Sequence, residues 1–416
     1  MGCNRGVNTD MRSVDDHLAR VLDPVRPLNP IDMGLTDARG CILAEDVRAP
    51  WPLPPFDNSA MDGYAVVASQ LSQASRAAPV RLKVVDDIPA GSRPRATIGP
   101  GVAARIMTGA PMPYGADAVV PVELTDGGMP AVTVFGGVRV GQNVRRAGDD
   151  VHSGALVLTA GTIIDARQAA LAAAVGRARV MVHPRPRVVV LTTGSELVEP
   201  GRQLGPGMIN DVNGVALAVA AADLGAESFW VGPVPDDPKQ FTNALEDQLV
   251  RADLVVTTGG VSAGAYDTVK EVLRRLGTVD FVRVAMRPGM PQGYGHISGV
   301  PIFTLPGNPV SAIVSFEVFV RPVLRRMLGF AELNRPTVEA TITQDVESPA
   351  GKRQYLRGQL VHTAEGALFH PSVSQGSHQV AVLAHATGLA VVPESMTHVP
   401  AGTRLPVMRV GPEVGA

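Results

Sequence analysis

Three stretches of this chain end an apolar run in glycine and place reactive side chains close behind it. Residues 188–196 read VVVLTTGSE, residues 254–270 read LVVTTGGVSAGAYDTVK and residues 302–311 read IFTLPGNPVS. Glycine lets a ligand approach the backbone, and N–H groups at a helix start point outward unsatisfied, so such loops suit anions and metals. Three of them within one α/β segment imply a single site. In parallel sheets ligands gather beyond the carboxyl ends of strands, where these loops should converge.

The individual residues admit two readings each. The TTGSE turn holds either a phosphate on its N–H groups or only a tight strand-to-helix connection; Glu196, beside its glycine, is a natural magnesium ligand. Asp267 either tunes the start of the next helix or serves as a metal ligand or water-orienting base, and the T-x-x-E box from Thr268 to Glu271 caps that helix without it. Asp236 and Asp237 most simply cap the helix that follows them. Arg283 and Arg287, four apart in a predicted strand over 279–286, should share one face, where paired guanidinium groups suit an oxyanion. PGNP, with Pro306 and Pro309, makes a turn into a helix that starts at Pro309. The histidines show neither HExxH nor Cys-paired spacing, and no G-x-S-x-G elbow or G-x-x-x-x-G-K-[ST] phosphate loop occurs.

The elements that must position these residues alternate. Strands at 187–191, 228–234, 253–258, 279–286 and 301–305 are separated by helices at 213–226, 238–250, 268–277 and 309–328, which predicts a mainly parallel sheet covered on both faces. Ahead of this segment, Ser13 opens a helix and Asp165 another, bracketing short β pieces broken by glycine and proline. Four prolines between Pro50 and Pro55 forbid a long helix there. Past Gly329 the chain turns to strands again, implying a small C-terminal β domain. The expected domains are residues 10–48 with 143–182 as a discontinuous helical plus β region, 49–142 as an inserted β-rich lobe, 183–329 as a doubly wound α/β domain, and 330–416 as the β domain.

Composition narrows the function classes. At 416 residues several domains are expected. A formal charge of -2 argues against a general nucleic-acid or anionic-membrane binder, so any anion site is local. Cys3 and Cys41 are the only cysteines, too few for a disulfide framework or a cysteine-rich zinc site. The N-terminus lacks an apolar signal core, and no run of about 18 apolar residues occurs, so a cytoplasmic protein is expected.

Several long strings together resemble one family, the molybdopterin molybdenumtransferases of the MoeA type, whose eukaryotic relative is the E domain of gephyrin. The strings are FDNSAMDGYAV (56–66), RIMTGAPMPYGADAVVPVE (105–123), TTGSELV (192–198), GMINDVNG (207–214), TTGGVSAGAYDTVKEVL (257–273), RVAMRPGMPQGYG (283–295) and LPGNPVSAIVSFEVFVRP (305–322). The resemblance spans nearly the whole chain and makes the α/β domain one of molybdopterin-binding type. It implies insertion of molybdate into adenylylated molybdopterin, with magnesium-dependent release of AMP. It also implies an elongated homodimer with a composite site, formed by the α/β domain of one subunit and the N-terminal lobe of the other. Molybdopterin adenylyltransferase and molybdoenzymes become possible partners; nucleic acid and membrane do not.

By the same resemblance Asp62, Thr108, Glu196 and Asp267 are catalytic, and Glu196, Asp236 and Asp267 hold the metal. Substrate binding falls to Ser195, Gly259, Gly260, Ser262, Arg283, Arg287, Pro306 and Pro309, with Arg353, Arg357 and Ser377 from the C-terminal domain. The chain departs from the family at a loop that usually reads close to KPGKP and here reads RPGMP, so that Arg287 and Met290 stand at lysine positions. Losing a cation beside a dianion should weaken its binding by roughly 1.5 to 3 kcal/mol. A usual Ala-Asn-Gly is Ala386-Thr387-Gly388 here. The competing readings are molybdopterin adenylyltransferase, which lacks the flanking regions, and a catalytically altered paralogue or gephyrin-like scaffold that binds molybdopterin without efficient metal insertion.

Overall fold

The computed structural model describes residues 11–259 and 268–411. The chain divides into two compact units, one made of residues 32–39 and 45–180, the other of the remaining segments. The first unit is built on a five-stranded sheet in the order Ala118–Pro121, Gly63–Val66, Val102–Ile106, Val80–Ile88, Ala131–Val134. Tyr64, Val66, Leu82, Val120 and Val132 supply its core. Gly63 is required by close approach, because a Cβ there would lie 1.9 Å from the Val120 carbonyl oxygen. As predicted, Asp165 caps the helix Ala166–Ala174.

The second unit carries the α/β sheet, ordered Glu227–Val234, Arg187–Thr193, Leu254–Thr258, Val300–Leu305, Pro291–Ile297, Thr278–Arg283. The first four strands are parallel, and Pro291–Ile297 runs antiparallel to both of its neighbours. Side chains alternate faces along a strand, so Val188 and Val190 pack on Leu217 and Phe319 while Val189 and Leu191 pack on Phe241 and Leu245. Burial on both faces explains why these strands read as unbroken apolar runs. No described helix is long and apolar enough to cross a membrane.

Two expectations about this sheet need correction. The strand Pro291–Ile297 lies between the strands expected over 279–286 and 301–305, where the sequence predicts no element. Its glycines mark close packing: a Cβ on Gly295 would meet the Thr278 carbonyl oxygen at 1.9 Å, and one on Gly293 would meet the Phe281 ring and Thr304 at 2.9 Å. The strand expected over 279–286 ends at Arg283. Beyond it the Ala285 N–H donates to the Arg12 carbonyl at 2.8 Å, and Met286–Arg287 joins the C-terminal sheet beside Arg353 and Gln354. Arg283 and Arg287 therefore belong to different sheets and do not share one strand face.

The long C-terminal helix runs from Pro309 to Met327 through a π turn at Phe316–Val320. After it, Arg353–Thr363, Gly366–Pro371, Thr337–Ile342, Arg404–Arg409 and Gly388–Val392 form a ring, since the first also pairs with the last. Closing the ring removes the free edges that five short strands would otherwise expose.

Candidate active site

The carboxyl ends of three parallel strands meet as expected. Thr193, Gly259 and Gly307 are within contact of one another's backbones: a Cβ on Gly259 would lie 2.7 Å from the Thr193 carbonyl oxygen, and one on Gly307 would lie 3.8 Å from Gly259 Cα. Gly259 has φ +96°, a conformation that a side chain would strain. Around this junction lies a cavity of about 890 Å³. Glu196, Asp236, Gly259, Pro306 and Pro309 of the predicted set line it, so loops more than a hundred residues apart are brought together.

Asp237, and not Asp236, caps the next helix, accepting from the Gln240 N–H at 2.8 Å. Asp236 instead ties two loops: its Oδ2 accepts the Ser195 N–H at 3.1 Å, and its own N–H donates to the Ser195 hydroxyl at 3.2 Å. The turn after Thr193 does not enter a helix. It leads to the short strand Leu197–Val198, paired with Ile209–Asn210, and the helix begins only at Val212. Glu196 thus projects from a strand-to-strand connection, with its carboxylate close to Gly194.

Asp267, Gly260 and Ser262 lie outside the described residues. Ser195, Arg283, Arg287, Arg353, Arg357 and Ser377 are not among the residues that line the cavity. Arg353 makes a bidentate pair with Asp15 at 2.7 Å and a second with Glu394 at 3.0 Å. Arg357 is buried and donates to the carbonyls of Gly376 and Ser374 and to Gln375. Ser377 accepts the Val310 N–H on its backbone carbonyl at 3.1 Å. Arg283 and Arg287 are exposed, and an Arg283 Nη2 lies 3.5 Å from the Met290 sulfur. The RPGMP loop is held from below by Gln292, itself 1% exposed, which donates to the Gly289 carbonyl and the Ser315 hydroxyl at 2.6 Å each.

In the first unit Asp62 stands at the start of the Gly63–Val66 strand. Its Oδ1 accepts the Thr108 N–H at 2.7 Å and the Thr108 hydroxyl at 2.8 Å. These two bonds hold its carboxyl below the usual aspartate range, the backbone bond most strongly. The resemblance had paired Asp62 with Thr108 by role; the fold pairs them by contact.

Sequence reasoning did not single out Asp211, Asn213, Asn308, Ser311 or His378, all of which line the cavity. The first two lie in GMINDVNG, where two side-chain amides flank an aspartate inside a glycine-bounded string. Asp211 caps the helix Val212–Asp223 and accepts from the Gly214 N–H, the Thr192 hydroxyl and the Trp230 indole N–H. Among the described residues no three His, Cys, Asp or Glu side chains form a metal cluster. Glu196 and Asp236 nevertheless share one wall. Magnesium commonly takes one or two carboxylates and fills its remaining positions with water and phosphate oxygens, so this donor set fits it.

An open α/β sheet with a cavity beyond its strand ends, followed by a small β ring, is the architecture of a ligand-binding domain. Residues 189–326 match the family described as a probable molybdopterin binding domain. Residues 12–176 match the MoeA N-terminal region (domain I and II) and residues 339–410 the MoeA C-terminal region (domain IV). The chain belongs to the MoeA family. It is 48% identical over 403 residues to molybdopterin molybdenumtransferase 2 of Mycobacterium tuberculosis, covering 95% of this chain and 99% of that one. It is 35% identical to the molybdopterin molybdenumtransferase of Bacillus subtilis, covering 92% and 90%. Among solved structures, a molybdopterin biosynthesis MoeA protein from Pyrococcus horikoshii superposes with a TM-score of 0.80 at 34% identity, covering 96% of this chain and 99% of that one.

Proposed function

We propose that the protein is a molybdopterin molybdenumtransferase, inserting molybdate into adenylylated molybdopterin and releasing AMP. The observation that carries this reading is the cavity at the junction of three glycine loops, with Glu196 and Asp236 on its wall, in a chain of this family. Cleaving a phosphoanhydride concentrates negative charge on oxygen, and catalysis needs that charge met by fixed positive groups and N–H donors. The backbones of Thr193, Gly194, Gly259 and Gly307 allow the phosphates to approach. Glu196 and Asp236, with Asp267, would hold magnesium, which when bound supplies charge neutralisation to the phosphoanhydride. Ser195 orients the Asp236 carboxylate through its N–H.

Molybdate is a tetrahedral dianion and seeks cationic and N–H donors rather than carboxylates, which directs it to Arg287 and the RPGMP loop. Arg353 and Arg357 act there indirectly: one anchors the strand beside Met286–Arg287, the other fixes the loop that carries Ser377. The active form is proposed to be a cytoplasmic homodimer, the second subunit contributing the Asp62–Thr108 pair. Purified protein given magnesium, molybdate and adenylylated molybdopterin is expected to release AMP, measured by chromatography. Tight substrate binding without molybdate-dependent AMP release would refute the enzyme assignment.

A further inference from the structure

The loop at 374–379, from the C-terminal domain, is anchored on both sides of one histidine. Arg357, 2% exposed, donates to the Ser374 carbonyl at 3.4 Å, to Gln375 Oε1 at 3.4 Å and to the Gly376 carbonyl at 3.0 Å. Gln375 returns two bonds at 3.0 Å, from Nε2 to the carbonyls of Arg357 and Ser372. The Gly376 N–H donates to Gln379 Oε1 at 3.0 Å, and the Ser377 carbonyl takes the Val310 N–H of the long helix at 3.1 Å. His378 stands between these tethered residues. A Cβ on Gly376 would meet its Cε1 at 3.0 Å, so the glycine leaves the imidazole its room. His378 is exposed, its ring has no hydrogen bond or ion pair among the described residues, and it lines the cavity. A buried arginine thus organises a loop that presents an uncommitted imidazole to the site.

Among the described residues that line the cavity, those that titrate are Glu196, Asp211, Asp236 and His378. Asp211 is engaged by three donors, and Glu196 and Asp236 are the proposed metal ligands. An imidazole differs from these carboxylates in that it both takes and gives a proton near neutral pH. Pro291, the last residue of the RPGMP loop, lines the same cavity, as do Thr193, Gly259 and Gly307. His378 therefore shares a cavity with the end of the loop to which molybdate is directed.

We infer that His378 is a catalytic residue of the insertion step, carrying a proton from the ene-dithiol of the pterin to the oxide that leaves molybdate. The inference rests on the proposed function. Two Mo–S bonds form while two S–H bonds and one Mo–O bond break, and both protons end on the departing oxygen, which leaves as water. Molybdenum stays hexavalent and the overall charge is unchanged, so the step needs no other reactant. His378 takes a proton from sulfur and returns it to the oxide, which would otherwise have to leave unprotonated.

The test uses the full chain with magnesium, molybdate and adenylylated molybdopterin, followed from about pH 5 to 8, the range in which histidine changes charge. His378→Ala should lower kcat for the molybdenum-loaded product by at least about a hundredfold. KM and the thermal midpoint should stay at wild-type values, because the side chain is exposed and holds no other residue. Imidazole added to the alanine variant should restore turnover in proportion to its concentration, an effect that a structural role would not produce. His378→Gln, which keeps hydrogen-bonding groups but cannot carry a proton, should be as slow as the alanine variant. A fast glutamine variant, or an inactive alanine variant that imidazole does not rescue, overturns the proton-carrier assignment. Full activity of His378→Ala overturns it too and leaves the enzyme reading standing. Absence of molybdate-dependent AMP release by the wild type overturns both.

Discussion

Met290 shows how one side chain changes the chemistry of a loop. An arginine guanidinium rests on its sulfur at 3.5 Å, so the position is compatible with a neutral, polarisable group beside Arg283. A lysine there would repel Arg283 but offer a third cation to an oxyanion near Arg287. Met290→Lys is expected to lower the molybdate concentration for half-maximal AMP release by roughly tenfold, in line with the strength of a charge-assisted hydrogen bond. An unchanged molybdate dependence would place Met290 outside the anion's surroundings.

At the scale of elements, the first helix, Val14–Leu22, acts as a brace. Ser13 caps it, as its sequence predicted, with the Asp16 N–H at 3.0 Å. Just ahead, Arg12 bridges to Val284, and Asp15 grips Arg353, so both sides of the Met286–Arg287 strand are tied to it. On its buried face His17 is 1% exposed, edge-on to Phe319, with Nε2 unpartnered. Burial, then the charges of Arg12 and Arg20, lowers its pKa to about 4, with Asp280 opposing them weakly. The unfolded chain takes up this proton near pH 6.5 and the native state does not, so stability is fully present above pH 6.5 and falls as pH drops toward 4. The contribution lost across that window is about 3 kcal/mol. Urea unfolding between pH 7 and 4 should show His17→Leu to be less pH-dependent than the wild type by this amount. Parallel pH profiles would mean that His17 titrates normally.

For the whole molecule, the decisive question is whether each site needs two chains. If Asp62 and Thr108 serve the cavity of a second subunit, Asp62→Ala and Glu196→Ala should each be inactive alone. Mixing them through a dissociation and reassociation step should restore roughly a quarter of wild-type activity, because half the dimers are mixed and each mixed dimer has one intact site. Sedimentation should find a dimer in the same samples. No recovery in confirmed mixed dimers would locate both residues in one chain's site.

The sequence by itself determined the alternating α/β segment, the three glycine loops at its strand ends, the helix caps at Ser13 and Asp165, and the polar strings that resemble the family. These are local signals: apolar runs, turn residues and caps act over a few neighbours and can be read without the fold. Tertiary structure alone decided the rest. It made a strand of PQGYGHI, whose glycines leave room for the Phe281 ring and the Thr278 carbonyl of neighbouring strands. It separated Arg283 from Arg287 by sending the intervening residues to a different sheet. It tied Arg353 to Asp15, 338 residues away, and Arg357 to the Gly376 carbonyl. It also turned the Asn213 amide toward a carbonyl 94 residues away. Which bond a side chain makes depends on what the fold brings beside it, and no spacing along the chain records that.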